Sequence, residues 1–200
     1  IPCSGWVEIN GDIGVTPFDF THELITSEDR NPSHLAWSYH LHLTGKLLNN
    51  TNPIPFVMNQ INDLEGAGEH WQSLYTILTE LFVNALDHGV LGLCSSLKNS
   101  AEGFSSYFNE RSKRLKILEK NKLTSFNEDF VRITLQYYPL SQGGKMLINI
   151  KDSGNGFNVL DVIKGSTKEP YTGINLSGRG VEIVNQLCET LEYKENGTLV

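Results

Sequence analysis

The chain is poor in the residues that would mark several large classes of protein. Its three cysteines, Cys3, Cys94 and Cys188, are odd in number and far apart, which fits neither a disulfide framework nor a zinc site and is read as three reduced thiols. Positive charge is also scarce: 16 Lys and Arg stand against 23 Asp and Glu, for a net charge of −7. Neutralising phosphates over a whole face needs clustered basic residues, so general nucleic-acid binding is not expected. No apolar run approaches the length that crosses a bilayer, and the opening IPCSGWVEIN lacks the basic-then-apolar order of a signal peptide. A cytoplasmic location is the expectation, with no membrane partner. A chain that starts at Ile1 rather than Met is expected to be a piece of a longer polypeptide.

What remains is an ordinary globular composition, 200 residues with 39% hydrophobic and 20% charged, enough for one domain with a real core. Residues 1–33 are rich in Gly, Pro, Asp, Asn and Ser and read as a linker or N-terminal extension, with a short strand around Trp6, Val7 and Ile9 open. The domain proper is expected over 34–200. WSYHLHL at Trp37–Leu43 alternates as a strand and puts His40 and His42 on one face, more simply as partly exposed strand histidines than as metal ligands. Pro53–Leu64 reads as a helix with Pro in its first turn, and Trp71, Leu74, Leu78, Leu81, Phe82 and Ala85 recur at helical spacing in a second helix from His70 to about Leu91. Phe130–Tyr138 and Lys145–Lys151 alternate on either side of Ser141-Gln142-Gly143-Gly144 and predict an antiparallel hairpin. A helix over Val181–Leu191 and a last strand from Gly197 complete the expectation. About 95–128 is an insertion with a helix at Ala101–Lys120, expected to be a solvated amphipathic helix; a basic docking surface for an acidic partner is the sharper alternative, given Arg111, Lys113, Arg114 and Lys116.

Three stretches carry chemistry. In ELFVNALDHG, Glu80–Gly89, the side chains of Glu80, Asn84 and His88 fall at i, i+4 and i+8, with Asp87 beside them. Any one of them could be plain surface. Together two carboxylates and an amide oxygen make a hard-oxygen environment suited to Mg²⁺ and hence to a nucleotide. In Asp152-Ser153-Gly154-Asn155-Gly156-Phe157 a carboxylate ends a strand, and closely spaced glycines let backbone approach a flat ligand; the carboxylate could accept the amine of adenine, although the same letters also spell a turn. Gly178-Arg179-Gly180 then opens a helix, where exposed amides and the helix dipole suit phosphate, with Lys164, Lys168 and Arg179 near; alone this is weak.

In that order the three stretches resemble the N-box (Glu80–Gly89), first glycine box (Asp152–Phe157) and second glycine box (Ser177–Val181) of the GHKL ATPase superfamily, which includes DNA gyrase and the histidine kinases. The resemblance spans roughly 35–200. It implies the Bergerat fold, an α/β sandwich of α+β type with helices on one face of a mostly antiparallel sheet and a mobile ATP lid over Asn158–Ser177. Within the superfamily E-x-x-x-N-A-x-x-H-G is most similar to the RsbW-like anti-sigma-factor serine kinases, which also occur as the C-terminal kinase domain of response regulators. The resemblance then implies ATP and Mg²⁺, with Glu80 as general base, Asn84 as metal ligand and Asp152 reading adenine. Gly154, Gly156, Phe157, Gly178, Arg179 and Gly180 would shape the pocket and lid, and Asp87, His88 and Thr198 match further binding positions. The implied partner is a STAS-type anti-sigma-factor antagonist phosphorylated on serine, with a sigma or anti-sigma factor as a further partner and a homodimer as the assembly. Two readings of other classes stay open: a nucleotide-binding anti-sigma module that acts by sequestration, and an ATPase or histidine-kinase-like catalytic domain.

Overall fold

The computed structural model describes residues 36–50, 52–66, 68–94, 101–120, 129–141, 143–157 and 179–200. The expected linker at 1–33, Cys3, the lid segment Asn158–Ser177 with Lys164 and Lys168, and Gly178 lie outside these residues. Within them the fold is mixed α+β, built on an antiparallel sheet. Strands β1 (Trp37–Thr44), β2 (Phe130–Pro139) and β3 (Gly144–Asp152) lie in the order β1-β2-β3. The period of two puts Leu41, Leu43, Val131, Ile133, Leu135 and Ile150 on one buried face, and leaves His40, Lys145 and Leu147 exposed on the other. Leu41, Ile133 and Ile150 stand in register across all three strands.

The end of the chain adds a fourth, short edge. Ile150 and Val200 exchange two backbone hydrogen bonds of 2.9 and 3.0 Å, and the Asp152 N–H donates to the Thr198 carbonyl at 3.0 Å. The strand expected from Gly197 is therefore present as pairing at Thr198–Val200, after a single tight turn at Glu195–Gly197.

Helices α1 (Gly45–Asn50), α2 (Ile54–Glu65), α3 (Trp71–Val83), α4 (Ala101–Lys120) and α5 (Arg179–Leu187) supply the other layer. Helix α1 follows β1 directly: Gly45, at φ +48°, turns the chain out of the strand into a helix, a conformation that costs glycine little. Helix α2 matches its expected span to within a residue, and its apolar side, Ile54, Val57, Met58 and Ile61, enters the core. Helix α5 ends at Leu187 instead of Leu191, the Cys188 N–H still donating to the Val184 carbonyl at 2.9 Å.

The expected single helix from His70 to Leu91 is two objects. Helix α3 buries Leu74, Ile77, Leu78, Leu81 and Phe82, and from Asn84 to Val90 the coil widens into a π-helical turn. The Leu91 N–H accordingly reaches back five residues to the Leu86 carbonyl at 2.8 Å. Asn84, Asp87, His88 and Gly89 are poor helix-interior residues, so the ordinary ladder has little to defend there.

Helix α4 is not a solvated appendage. Tyr107 and Leu115 are buried, and Arg111 and Arg114 turn inward onto the π-helical turn and the residues after it. Two of the four basic groups that the alternative reading offered as a docking surface are thus engaged with the protein itself, leaving Lys113 and Lys116 exposed.

Ile133 is fully buried at the centre of the middle strand. Its replacement by alanine leaves a cavity between Leu41 and Ile150, and urea unfolding of Ile133→Ala is expected to show a loss of about 2–5 kcal/mol.

Candidate functional site

The first chemistry-bearing stretch touches the other two, one near each of its ends. Glu80 lies on the last full turn of α3, and a Cβ placed on Gly180, in the first turn of α5, would collide with its carboxylate. A carboxylate against a helix N-terminus is favourably placed with respect to the helix dipole. At the far end of the π-helical turn, a Cβ on Gly89 would collide with the Asp152 carboxylate, and one on Gly154 would collide with the Gly89 carbonyl. The end of the first stretch and the start of the second therefore touch backbone to backbone, with the Asp152 side chain between them. Only glycine leaves that room.

Asp152 closes β3 and is 8% exposed. Its Oδ1 accepts the Gly154 N–H at 2.8 Å. Burial pushes its pKa up to about 6, against the smaller opposite effect of that backbone hydrogen bond. Thr198 stands opposite Asp152 on the edge strand and so shares its face, but its hydroxyl donates to the Glu195 carbonyl at 2.9 Å. Gly156, at φ +72°, leaves no space for a side chain against the Asn196 carbonyl. The Phe157 N–H donates to that same carbonyl at 2.8 Å, and the Phe157 ring packs edge-on against Tyr193 with centroids 5.3 Å apart.

The remaining polar groups of the first stretch diverge. The Asn84 N–H is spent on the Glu80 and Leu81 carbonyls; among the described residues no side-chain hydrogen bond engages Asn84 or Glu80. Both stay available to a ligand. Asp87 points the other way. It is 2% exposed, and its two oxygens are taken by the Tyr107 hydroxyl at 2.6 Å and the Arg111 guanidinium at 2.7 Å. Burial and this hydrogen bond to a carboxylate both hold the Tyr107 phenol well above its ordinary pKa. The ring of His88 donates from Nδ1 to the Leu93 carbonyl at 2.6 Å, closing the loop after the turn. Arg179 is exposed and lines a surface groove along α5 with Glu182, Ile183 and Gln186.

Tyr107, Arg111 and Arg114 were invisible as site residues in the sequence, although their spacing of four and three places them on one helical face, opposite a stretch with a carboxylate to satisfy. Among the described residues no three His, Cys, Asp or Glu side chains gather as a metal cluster. The oxygens of Asn84 and Glu80 are hard donors and few, which fits a Mg²⁺ that arrives on phosphates and keeps most of its waters.

A pKa raised on folding makes the protonated carboxyl the form that the native state prefers. Relative to the unfolded chain, the contribution of Asp152 to stability is full below its ordinary value of 3.8 and is lost as the pH rises through about 6. Asp152→Asn keeps an acceptor for Gly154 and removes the buried charge, so its melting temperature is expected to exceed that of the wild type at about pH 7.5, with the gap closing near pH 4 in paired thermal melts.

No protein-family model matches the chain, and no solved structure matches it. Over 74 residues, 36% of this chain, the sequence is 32% identical to a phosphoheptose isomerase of Campylobacter concisus (strain 13826). The chain spans 39% of the length of that protein.

Proposed function

We propose that this chain is an ATP- and Mg²⁺-dependent protein serine kinase of the GHKL type, with a Bergerat fold, acting on a STAS-type anti-sigma-factor antagonist in a partner-switching pathway. The observation that carries the proposal is the meeting of three stretches far apart in the chain: Glu80 against Gly180, and Gly89 against Asp152 and Gly154. A general base, a phosphate-suited helix start and an adenine-suited carboxylate thereby lie along one stretch, Glu80–Gly89. Surface turns and a solvated helix face would have no reason to converge.

In this reading Asp152 accepts the amine of adenine, with Thr198 beside it, and the glycines at 154 and 156 let the ring lie close to backbone. Phosphates seat at the start of α5, around Arg179 and Gly180, which brings the terminal phosphate to Glu80. Glu80 takes the proton of the substrate serine as its oxygen bonds to the γ-phosphorus; the bond to the β-γ bridging oxygen breaks, and ADP leaves. Asn84 is the side chain to hold Mg²⁺, which when bound supplies charge neutralisation to the phosphates. The mixed α+β architecture on an antiparallel sheet supports the fold assignment, and among the described residues no helix is long and apolar enough to cross a membrane.

Calorimetry with ATP and Mg²⁺ tests the proposal. Wild type should bind; Asp152→Asn should lose binding, Asn84→Ala should lose its dependence on Mg²⁺, and Glu80→Ala should bind but transfer no phosphate. Binding by the wild type should weaken as the pH falls through about 6, where Asp152 takes up its proton. Acid-stable phosphoserine on an antagonist protein would separate the kinase from an ATPase or a histidine kinase. A chain that transfers no phosphate but binds nucleotide and a sigma factor would be a sequestering module. Binding of a phosphoheptose without ATP binding would sink the kinase reading in favour of the activity named for the partial relative.

A further inference from the structure

We propose that Tyr107 and Arg111 of α4 are positioning residues for the metal side of this site, acting through Asp87 to fix the turn that presents Asn84. The inference rests on the nucleotide reading above and deepens it, because it assigns α4 a part in controlling the site.

A π-helical turn of Asn, Ala, Leu, Asp, His, Gly and Val has little intrinsic reason to keep its shape. Its restraints come from outside. The Asp87 carboxylate, three residues after Asn84, is held from two directions by Tyr107 and Arg111. One turn of α4 further on, the Arg114 guanidinium donates to the carbonyl of Gly92 at 3.0 Å and to that of Leu91. On the other side Gly89 rests on Asp152 and Gly154. The turn is thus clamped between α4 and the candidate adenine carboxylate, with Asn84 at its start.

The grip at Asp87 is the stiff part of the clamp. A carboxylate only 2% exposed cannot exchange its partners for water, so a shift of α4 must either drag the turn along or leave a charge buried and unpaired. The same geometry decides between two roles for Asp87. A carboxylate that supports metal-bound water from the pocket side needs an oxygen open to the pocket, and here the group is buried with each oxygen bonded to a side chain of α4. Its effect on the metal then passes through the backbone to Asn84.

The readout is the metal contribution to binding: the ratio of the ATP dissociation constant in EDTA to that in Mg²⁺, measured by calorimetry on the full chain at a temperature where each variant is folded. Loss of one hydrogen bond to the charged carboxylate should shrink this ratio by roughly three- to ten-fold in Tyr107→Phe and Arg111→Gln, while the constant in EDTA stays near that of the wild type. Arg111→Lys, which keeps the charge, should retain most of the ratio. Ile133→Val, which lowers stability in the core away from the site, should leave the ratio untouched. Should Tyr107→Phe not fold, the two Arg111 variants carry the test. Folded variants with an unchanged ratio would overturn the positioning role and leave the kinase reading standing. A wild type that binds no ATP in either buffer would overturn the kinase reading itself, and this inference with it.

Discussion

The constraint on which the rest of the site depends is the close approach of Gly89 to Asp152. A carboxylate at the end of a buried strand has to be sheltered without being walled in, and here the shelter is glycine backbone from two directions, Gly89 from the helix layer and Gly154 from its own loop. Any side chain at either position would occupy the space of the carboxylate or of the facing carbonyl. The widened turn at Asn84–Val90 follows from this demand: an extra residue in the coil lets the chain leave α3 and still set Gly89 down on β3. Burial then raises the pKa of Asp152, and the Gly154 N–H offsets part of that cost. The acid is held in a state that costs stability near neutral pH, as is common where a group is kept for binding.

Much of this was legible in the chain. Alternation located β1, β2 and β3 to within a residue or two, because an antiparallel sheet covered on one face imposes a strict period of two. The apolar stripe of α3 and the order of the three polar stretches were equally plain, and the structure brings those stretches together. Three things were not legible. Periodicity is blind to a coil that widens by one residue, since Ala85 and Leu86 remain buried on either register. Helix α1 is too short for a period to emerge, and the positive φ of Gly45 lets it begin directly after β1. The third concerns partners: Asp87 looked like a site residue and Arg111 like surface charge, and only tertiary packing brings Asp87 together with Arg111 and Tyr107.

The inward turn of α4 changes what its charges mean. A stripe of Arg and Lys on an amphipathic helix in an acidic protein invites a reading in terms of an acidic partner. Arg111 instead answers a buried carboxylate, and Arg114 answers two main-chain carbonyls that the end of the widened turn leaves without helical donors. The guanidinium suits both tasks because its fork delivers several N–H groups from one planar head. A lysine stripe could have supplied the charge without the geometry. Helix α4 is thereby packed against the turn that carries Asn84 and Asp87.

The contact between Glu80 and Gly180 adds a last step. A helix N-terminus favours whatever anion is nearest, and in this structure the anion is the Glu80 carboxylate. In the kinase reading phosphate would seat at the same helix start, so nucleotide and carboxylate would compete for one electrostatic niche. Seating the phosphates would then move Glu80 off the helix start, towards the substrate hydroxyl that it has to deprotonate. One local rearrangement would dock the phosphates and release the base. The lack of any side-chain partner for Glu80 among the described residues makes such a move inexpensive, because only its contact with the start of α5 has to be given up.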